Sequence, residues 1–191
     1  MKKIFYLTVI CLIITSCSFN GGFQGLYSYY NKTKKESPNL FIKTKNTDTI
    51  CGKYSKIENF IFITDGLTLK KCLLKNEKSI VYIWGSKCKS KVCYPLEIIQ
   101  SYCLKNGYSL FILAEYYDSE GMNFDYNLEK NIIAVDTKYY KTNLTTKYLN
   151  GFLKDIDNKL EYNKLENKYL YFEKNNFIND FNSIYEINSN N

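Results

Sequence analysis

The stretch "SIVYIWGSKCKSKVCYPLEIIQSYCLKNGYSLFILA", Ser79 to Ala114, reads as strand, loop, helix and strand, and this reading decides the fold. Ser79 to Trp84 is apolar on both faces, as strands inside a helix-covered parallel sheet are. Pro95 to Asn106 carries Leu96, Ile99 and Cys103 on one helical stripe, with Ile98 and Tyr102 beside it, and Gly107 follows as a natural C-terminal stop. Tyr108 to Ala114 is again apolar throughout, so the stretch predicts a βαβ unit.

The same rhythm extends in both directions. Upstream, Asn59 to Thr64 predicts a strand ended by Asp65-Gly66, and Leu67 to Lys75 places Leu69, Cys72 and Leu73 at helical spacing. Downstream comes a polar stretch from Tyr116 to Lys130 with room for a short helix, then a strand at Ile132 to Asp136. Leu144, Tyr148, Leu149, Phe152 and Ile156 predict a further helix. Lys168 to Phe172 and Phe177-Ile178 flank the polar Glu173 to Asn176, a hairpin with a four-residue turn. A short amphipathic piece through Phe181, Ile184 and Tyr185 closes the chain, and no internal repeat is present. The fold class is therefore α/β, a central mixed sheet flanked by helices.

The N-terminus has a different character. Met1-Lys2-Lys3, an apolar run from Ile4 to Ile14 and Ile14-Thr15-Ser16-Cys17 follow the order of a secretory signal, and the run is too short to span a bilayer. Small residues before a cysteine resemble the bacterial lipobox, which implies a signal over 1–16 and Cys17 as the lipid anchor. Such acylation would hold the protein to a membrane outside the cytoplasm, in the cell envelope. Ser18 after the cysteine points, by the same resemblance, to the outer membrane, facing the periplasm, in a Gram-negative cell. Residues 17–50 read as tether and leader, with Leu40-Phe41-Ile42 as one short edge strand; the domain is expected over 51–187, and 188–191 as a frayed tail.

Composition excludes several classes of function. The net charge is +7 over 191 residues, and all 26 basic residues are lysines dispersed among acids. Nucleic-acid readers use arginine forks and a clustered basic stripe, so no nucleic-acid partner is expected. With no histidine, the commonest general base and a frequent metal ligand are missing. A tetrahedral zinc site would need a second cysteine pair close by in sequence, and none is present. Neither a metal nor another cofactor is implied.

Ile83-Trp84-Gly85-Ser86-Lys87-Cys88 after a strand, then the helix carrying Pro95, a strand, a helix and a closing hairpin resembles the thioredoxin-like superfamily, in particular its extracytoplasmic thiol-disulfide oxidoreductases. The likeness covers residues 57–187, with the strand and helix at 131–156 where those proteins carry an insertion. It implies that Cys88 is the nucleophile, that Trp84 ends the strand before it, that Pro95 is the helix proline, and that the partner is a thiol or disulfide protein substrate. Two departures stand out. Lys91 occupies the place of the resolving cysteine, and the nearest candidate is Cys93. At Glu166-Asn167-Lys168, where the family carries a cis-proline, there is no proline. These departures leave a rival reading open, a redox-inactive module that binds a protein or peptide.

Five residues along a regular helix put Cα atoms about 8.6 Å apart, beyond the roughly 7 Å a disulfide allows. A Cys88–Cys93 bond therefore requires a loop. Pro95 disfavours helix at Tyr94 and suits the first turn, which would leave Cys88 to Tyr94 as that loop and Cys93 at a helix N-terminus. There the helix dipole and Lys87, Lys89 and Lys91 would favour a thiolate. The bond could equally be a structural staple. Cys72 and Cys103 read as buried core residues, Cys51 as able to pair or stay free, and Glu97 and Glu115 as candidate proton carriers or simple surface and strand-end residues.

Overall fold

The computed structural model describes residues 25–52, 60–88, 90, 91 and 93–187. The signal segment 1–16, the anchor residue Cys17, Lys89 and the tail 188–191 lie outside them. In chain order the elements are α1 (Tyr30–Glu36), β1 (Phe41–Lys43), α2 (Thr47–Cys51), β2 (Ile61–Thr64), α3 (Gly66–Leu74), β3 (Lys78–Trp84), α4 (Leu96–Lys105), β4 (Ser109–Ala114), α5 (Ser119–Met122), β5 (Ile133–Val135), α6 (Thr145–Ile156), β6 (Tyr169–Glu173) and β7 (Asn176–Phe181). Short 3₁₀ turns lie at Pro38–Leu40, Tyr162–Lys164 and Ile184–Glu186.

The seven strands form one mixed sheet in the order β1-β2-β5-β4-β3-β6-β7. β1 to β5 are mutually parallel where they pair, β6 runs antiparallel to β3, and β7 antiparallel to β6. Alternation along the strands builds two cores. Ile80, Tyr82 and Trp84 of β3 face the side covered by Leu96, Ile99 and Cys103 of α4 and by Tyr30 of α1. Val81 and Ile83 face the other side, covered by Leu69, Cys72 and Leu73 of α3 and by Tyr148, Leu149, Phe152, Leu153 and Ile156 of α6. Burial on both faces is why β3 reads as a continuous apolar run.

Local chemistry fixes the helix ends. Asp65 caps α3, its Oδ1 accepting from Thr68 N at 2.9 Å and from Thr68 Oγ1 at 2.8 Å. Gly66 then lets α3 press against α6, because a Cβ there would collide with the Phe152 carbonyl oxygen. α4 ends in a Schellman motif: Gly107 has φ +74°, Tyr108 N donates to Cys103 O at 2.9 Å and Gly107 N to Leu104 O at 3.3 Å.

Several expectations change. Residues 25–50 are not a free tether: Tyr30, Leu40 and Ile50 are buried, β1 pairs along β2, and Cys51 of α2 is bonded to Cys72 of α3 with Cα atoms 5.0 Å apart. Their short helices carry too few apolar residues to show a period, and tertiary packing holds them. Cys72 is a buried core residue as well as half of that disulfide. The hairpin turn is two residues shorter than expected, since Glu173 pairs with Asn176 and Lys174 takes the left-handed conformation with φ 52°. Of the strand and helix at 131–156, β5 lies in the sheet between β2 and β4 and α6 packs on one face, an arrangement that leaves the insertion reading as it stood.

Candidate functional site

β3 ends at Trp84 near the middle of the sheet, and the chain leaves it through Gly85-Ser86-Lys87-Cys88 before α4 begins. Cys88 N donates to Gly85 O at 3.0 Å and Cys93 N to Ser90 O at 3.1 Å, two turns that fold the segment back on itself. No described residue from 85 to 95 is helical, so the loop brings the two cysteines to a Cα separation of 6.0 Å, and they are disulfide-bonded. Cys88 is exposed and Cys93 half-buried.

Pro95 is the N-cap of α4, with φ −52° and ψ 139°, rather than its first helical residue. Cys93 therefore stands two residues ahead of the cap, and the sequence expectation that it sits on the helix N-terminus shifts accordingly. The neighbour of the two sulfurs is instead Ser90, whose Oγ lies 3.2 Å from Cys93 Sγ and 3.6 Å from Cys88 Sγ. Lys91 is exposed in the same loop. Lys87 is turned aside, its Nζ 3.4 Å from Asp118 Oδ1 and 3.7 Å from Glu120 Oε2, and the Asp118 carboxylate holds its ammonium above the ordinary range.

Asp118 anchors the facing wall. It caps α5 through Gly121 N at 3.1 Å and accepts from Ser86 Oγ at 2.7 Å. With Lys87, Cys88, Glu120, Phe124 and Tyr126 these residues line an open cleft of about 720 Å³. Trp84 is buried beneath, its ring edge-on to Tyr126 at 5.5 Å, and Tyr126 in turn meets Phe124 at 5.1 Å.

Glu115 follows β4 and occupies a second polar cluster beside Gly85. Its carboxylate receives Tyr162 OH at 2.5 Å and Lys168 Nζ at 2.5 Å, and Tyr148 OH donates to its carbonyl oxygen. A Cβ on Gly85 would stand 3.1 Å from Glu115 Oε2, so glycine gives this carboxylate its room. Burial, then the neighbouring carboxylate, push the Tyr162 hydroxyl well above its ordinary range. Glu97, the other acid singled out from the sequence, serves the loop after α5 by accepting from Asn127 N at 3.3 Å.

A comparison with protein-family models, curated proteins and solved structures found no match. What the site can do rests on its own geometry: a surface disulfide with a hydroxyl beside both sulfurs and an open cleft at Cys88. Sequence reading named Cys88, Cys93, Trp84, Lys91 and Pro95, and the structure brings all five to one end of β3 or the loop that follows it. It did not name Ser90, Asp118, Phe124 or Tyr126. Ser90 carried a signal, its place between the two cysteines; the other three come from a segment about thirty residues away and join the site only through the sheet.

The stretch 166–168, expected to correspond to a cis-proline, is built differently. No cis peptide bond occurs among the described residues. Glu166 N and Asn167 N both donate to Asp180 Oδ2 at 2.9 Å, and Lys168 is tied to Glu115.

Proposed function

We propose that the protein is a thioredoxin-like lipoprotein of the cell envelope, anchored through Cys17, that exchanges disulfides with a protein substrate through Cys88 and Cys93. The carrying observation is the Cys88–Cys93 bond itself, in an open loop at the carboxyl end of a strand near the middle of the sheet, with Cys88 exposed. The mixed sheet flanked by helices is compatible with the thioredoxin-like resemblance. In the oxidising direction a substrate thiolate attacks Cys88 Sγ, the Cys88–Cys93 bond breaks, and Cys93 leaves as a thiolate that takes up a proton. A second substrate thiolate then attacks the substrate sulfur of the mixed disulfide and releases Cys88. The substrate gains a disulfide and the protein becomes a dithiol.

A redox titration of the purified full chain, with alkylation and peptide mass spectrometry following Cys88 and Cys93, tests this reading. Exchange predicts a midpoint between about −120 and −270 mV; a midpoint below about −300 mV would make the pair a staple. Cys88→Ser should abolish turnover. For the anchor, Cys17→Ser should abolish incorporation of a labelled fatty acid into the protein; no helix among the described residues is long and apolar enough to cross a membrane.

One observation favours a different reading. Where the exchange enzymes it resembles place a cis-proline against the substrate, this chain holds Lys168 in an ion pair with Glu115. That arrangement suits a redox-inactive module that binds a protein or peptide. Unchanged partner binding after Cys88→Ser, with no turnover in either form, would establish it.

A further inference from the structure

The segment from Glu115 to Glu129 contains Glu115, Asp118, Glu120, Asp125 and Glu129 and not one lysine, in a chain with 26 lysines. This is the segment that supplies the wall of the cleft at Cys88. Its charges are unequally used. Asp118 is committed to Ser86, Gly121 and Lys87. Glu120 is 87 % exposed, and the shared Lys87 Nζ approaches its Oε2 to 3.7 Å. Among the described residues two carboxylates thus share one ammonium, and the more exposed carboxylate is at the outer rim, where a ligand cation can reach it without losing much water.

The apolar half of the wall is equally placed. Phe124 is 64 % exposed, unusual for a phenyl ring on a surface this polar, and it leans on Tyr126, which is backed by the buried Trp84. A ring lying on this step would be supported from beneath by packed side chains, so its docking would order little that is not already ordered.

We propose that this cleft selects the substrate of the exchange site: a cysteine-bearing segment of a partner protein with a lysine or arginine that pairs with Glu120 and an aromatic residue that packs on Phe124 and Tyr126. The choice of a cysteine-bearing segment rests on the exchange reading of Cys88 and Cys93; the selection for a cation and an aromatic ring does not. The cleft volume of about 720 Å³ holds several side chains, which matches a short segment rather than a single thiol. Charge at the rim acts mainly on association rate and its salt dependence, and the ring mainly on residence time.

The test uses the oxidised full chain and two synthetic dithiol peptides identical except at the flanks, one with lysine and phenylalanine, the other with glutamate and glycine. Stopped-flow rates for reduction of the Cys88–Cys93 bond should favour the first peptide roughly tenfold at low salt, and the advantage should shrink as salt rises. Glu120→Lys should remove the preference for the cationic flank, and Phe124→Ser the preference for the ring, each read as the ratio of the two peptides' rates on the same variant. Both side chains are exposed, so neither change removes packing in the core. Serine-for-cysteine versions of the peptides, labelled and followed by fluorescence anisotropy, read binding without redox chemistry. Equal binding of the two would overturn the proposal whatever the exchange rates. Selective binding together with inertness to dithiothreitol and both dithiol peptides would instead overturn the exchange reading and leave the cleft as a peptide-binding site.

Discussion

Cys103 is a buried free thiol and Cys88 an exposed half of a disulfide, and their reactivities follow from that. Cys103 is fully buried on the inner stripe of α4, where burial pushes its thiol up to about 12 against the weaker opposing pull of the Lys130 ammonium. At neutral pH it stays protonated and should resist iodoacetamide until the chain unfolds. After mild reduction of the native protein, Cys88 and Cys93 should label first, with Cys51, Cys72 and Cys103 labelling only in denaturant; peptide mass spectrometry reads the order. Ser90 offers a second prediction. Its hydroxyl can donate to the Cys93 thiolate of the reduced pair, a charge-assisted bond worth about 1.5 kcal/mol. Ser90→Ala should therefore lower the midpoint potential by roughly 30 mV, and Ser90→Thr should restore it. The two cysteines were legible in the sequence because cysteines flanking a short loop are rare. Their hydroxyl neighbour was less so, because serine is common in every loop.

At the scale of the element, α3 shows two opposing effects with a clear winner. Alanine is about 1 kcal/mol better than glycine inside a helix. At Gly66, however, the new methyl group would meet the Phe152 carbonyl and the Asp155 Cβ, backbone and side chain of a packed neighbour. Gly66→Ala should lose about 2 kcal/mol net in urea unfolding, because α3 must move off α6. The cap before it has a pH signature. Burial alone would raise the Asp65 carboxyl, but the Thr68 hydrogen bonds and the Lys45 ammonium outweigh it and hold the carboxyl below its ordinary range. A carboxyl held low in the fold stabilises it above the unfolded value, about 3.9, and loses that contribution as pH falls through the folded value. Asp65→Ala should cost about 1 kcal/mol at pH 7, and its gap from the parent should narrow below about pH 4. Elements of this kind were readable because apolar spacing and caps coincide, as at Asp65 and Gly107. α1 and α2 were not, since seven and five residues are too short for a period to declare itself.

For the whole molecule, the two disulfides have different duties. Cys51–Cys72 closes a separation of 21 residues and pins α2 to α3, whereas Cys88–Cys93 closes one of 5. Replacing Cys51 and Cys72 together by serine should lower stability by about 3 kcal/mol, and replacing Cys88 and Cys93 by less, as loop-closure entropy requires. Equilibrium denaturation of both double variants checks the ranking. The strands could be named from the sequence, yet their order could not: nothing in Ile132 to Asp136 says that β5 enters between β2 and β4. That choice is made by side chains on both faces of the sheet, Ile133 and Val135 on one and Ala134 on the other.

The position of β5 also sets a timetable. Phe62 has no sheet partner on its inner side until Ile133 arrives, 71 residues further along the chain. During synthesis β1 and β2 must wait as a separate piece while β3 and β4, close in sequence, zip together on their own. Cys51 and Cys72 both precede that late strand, so oxidation can lock the waiting piece before the sheet exists, and the sheet is completed around a crosslink already in place.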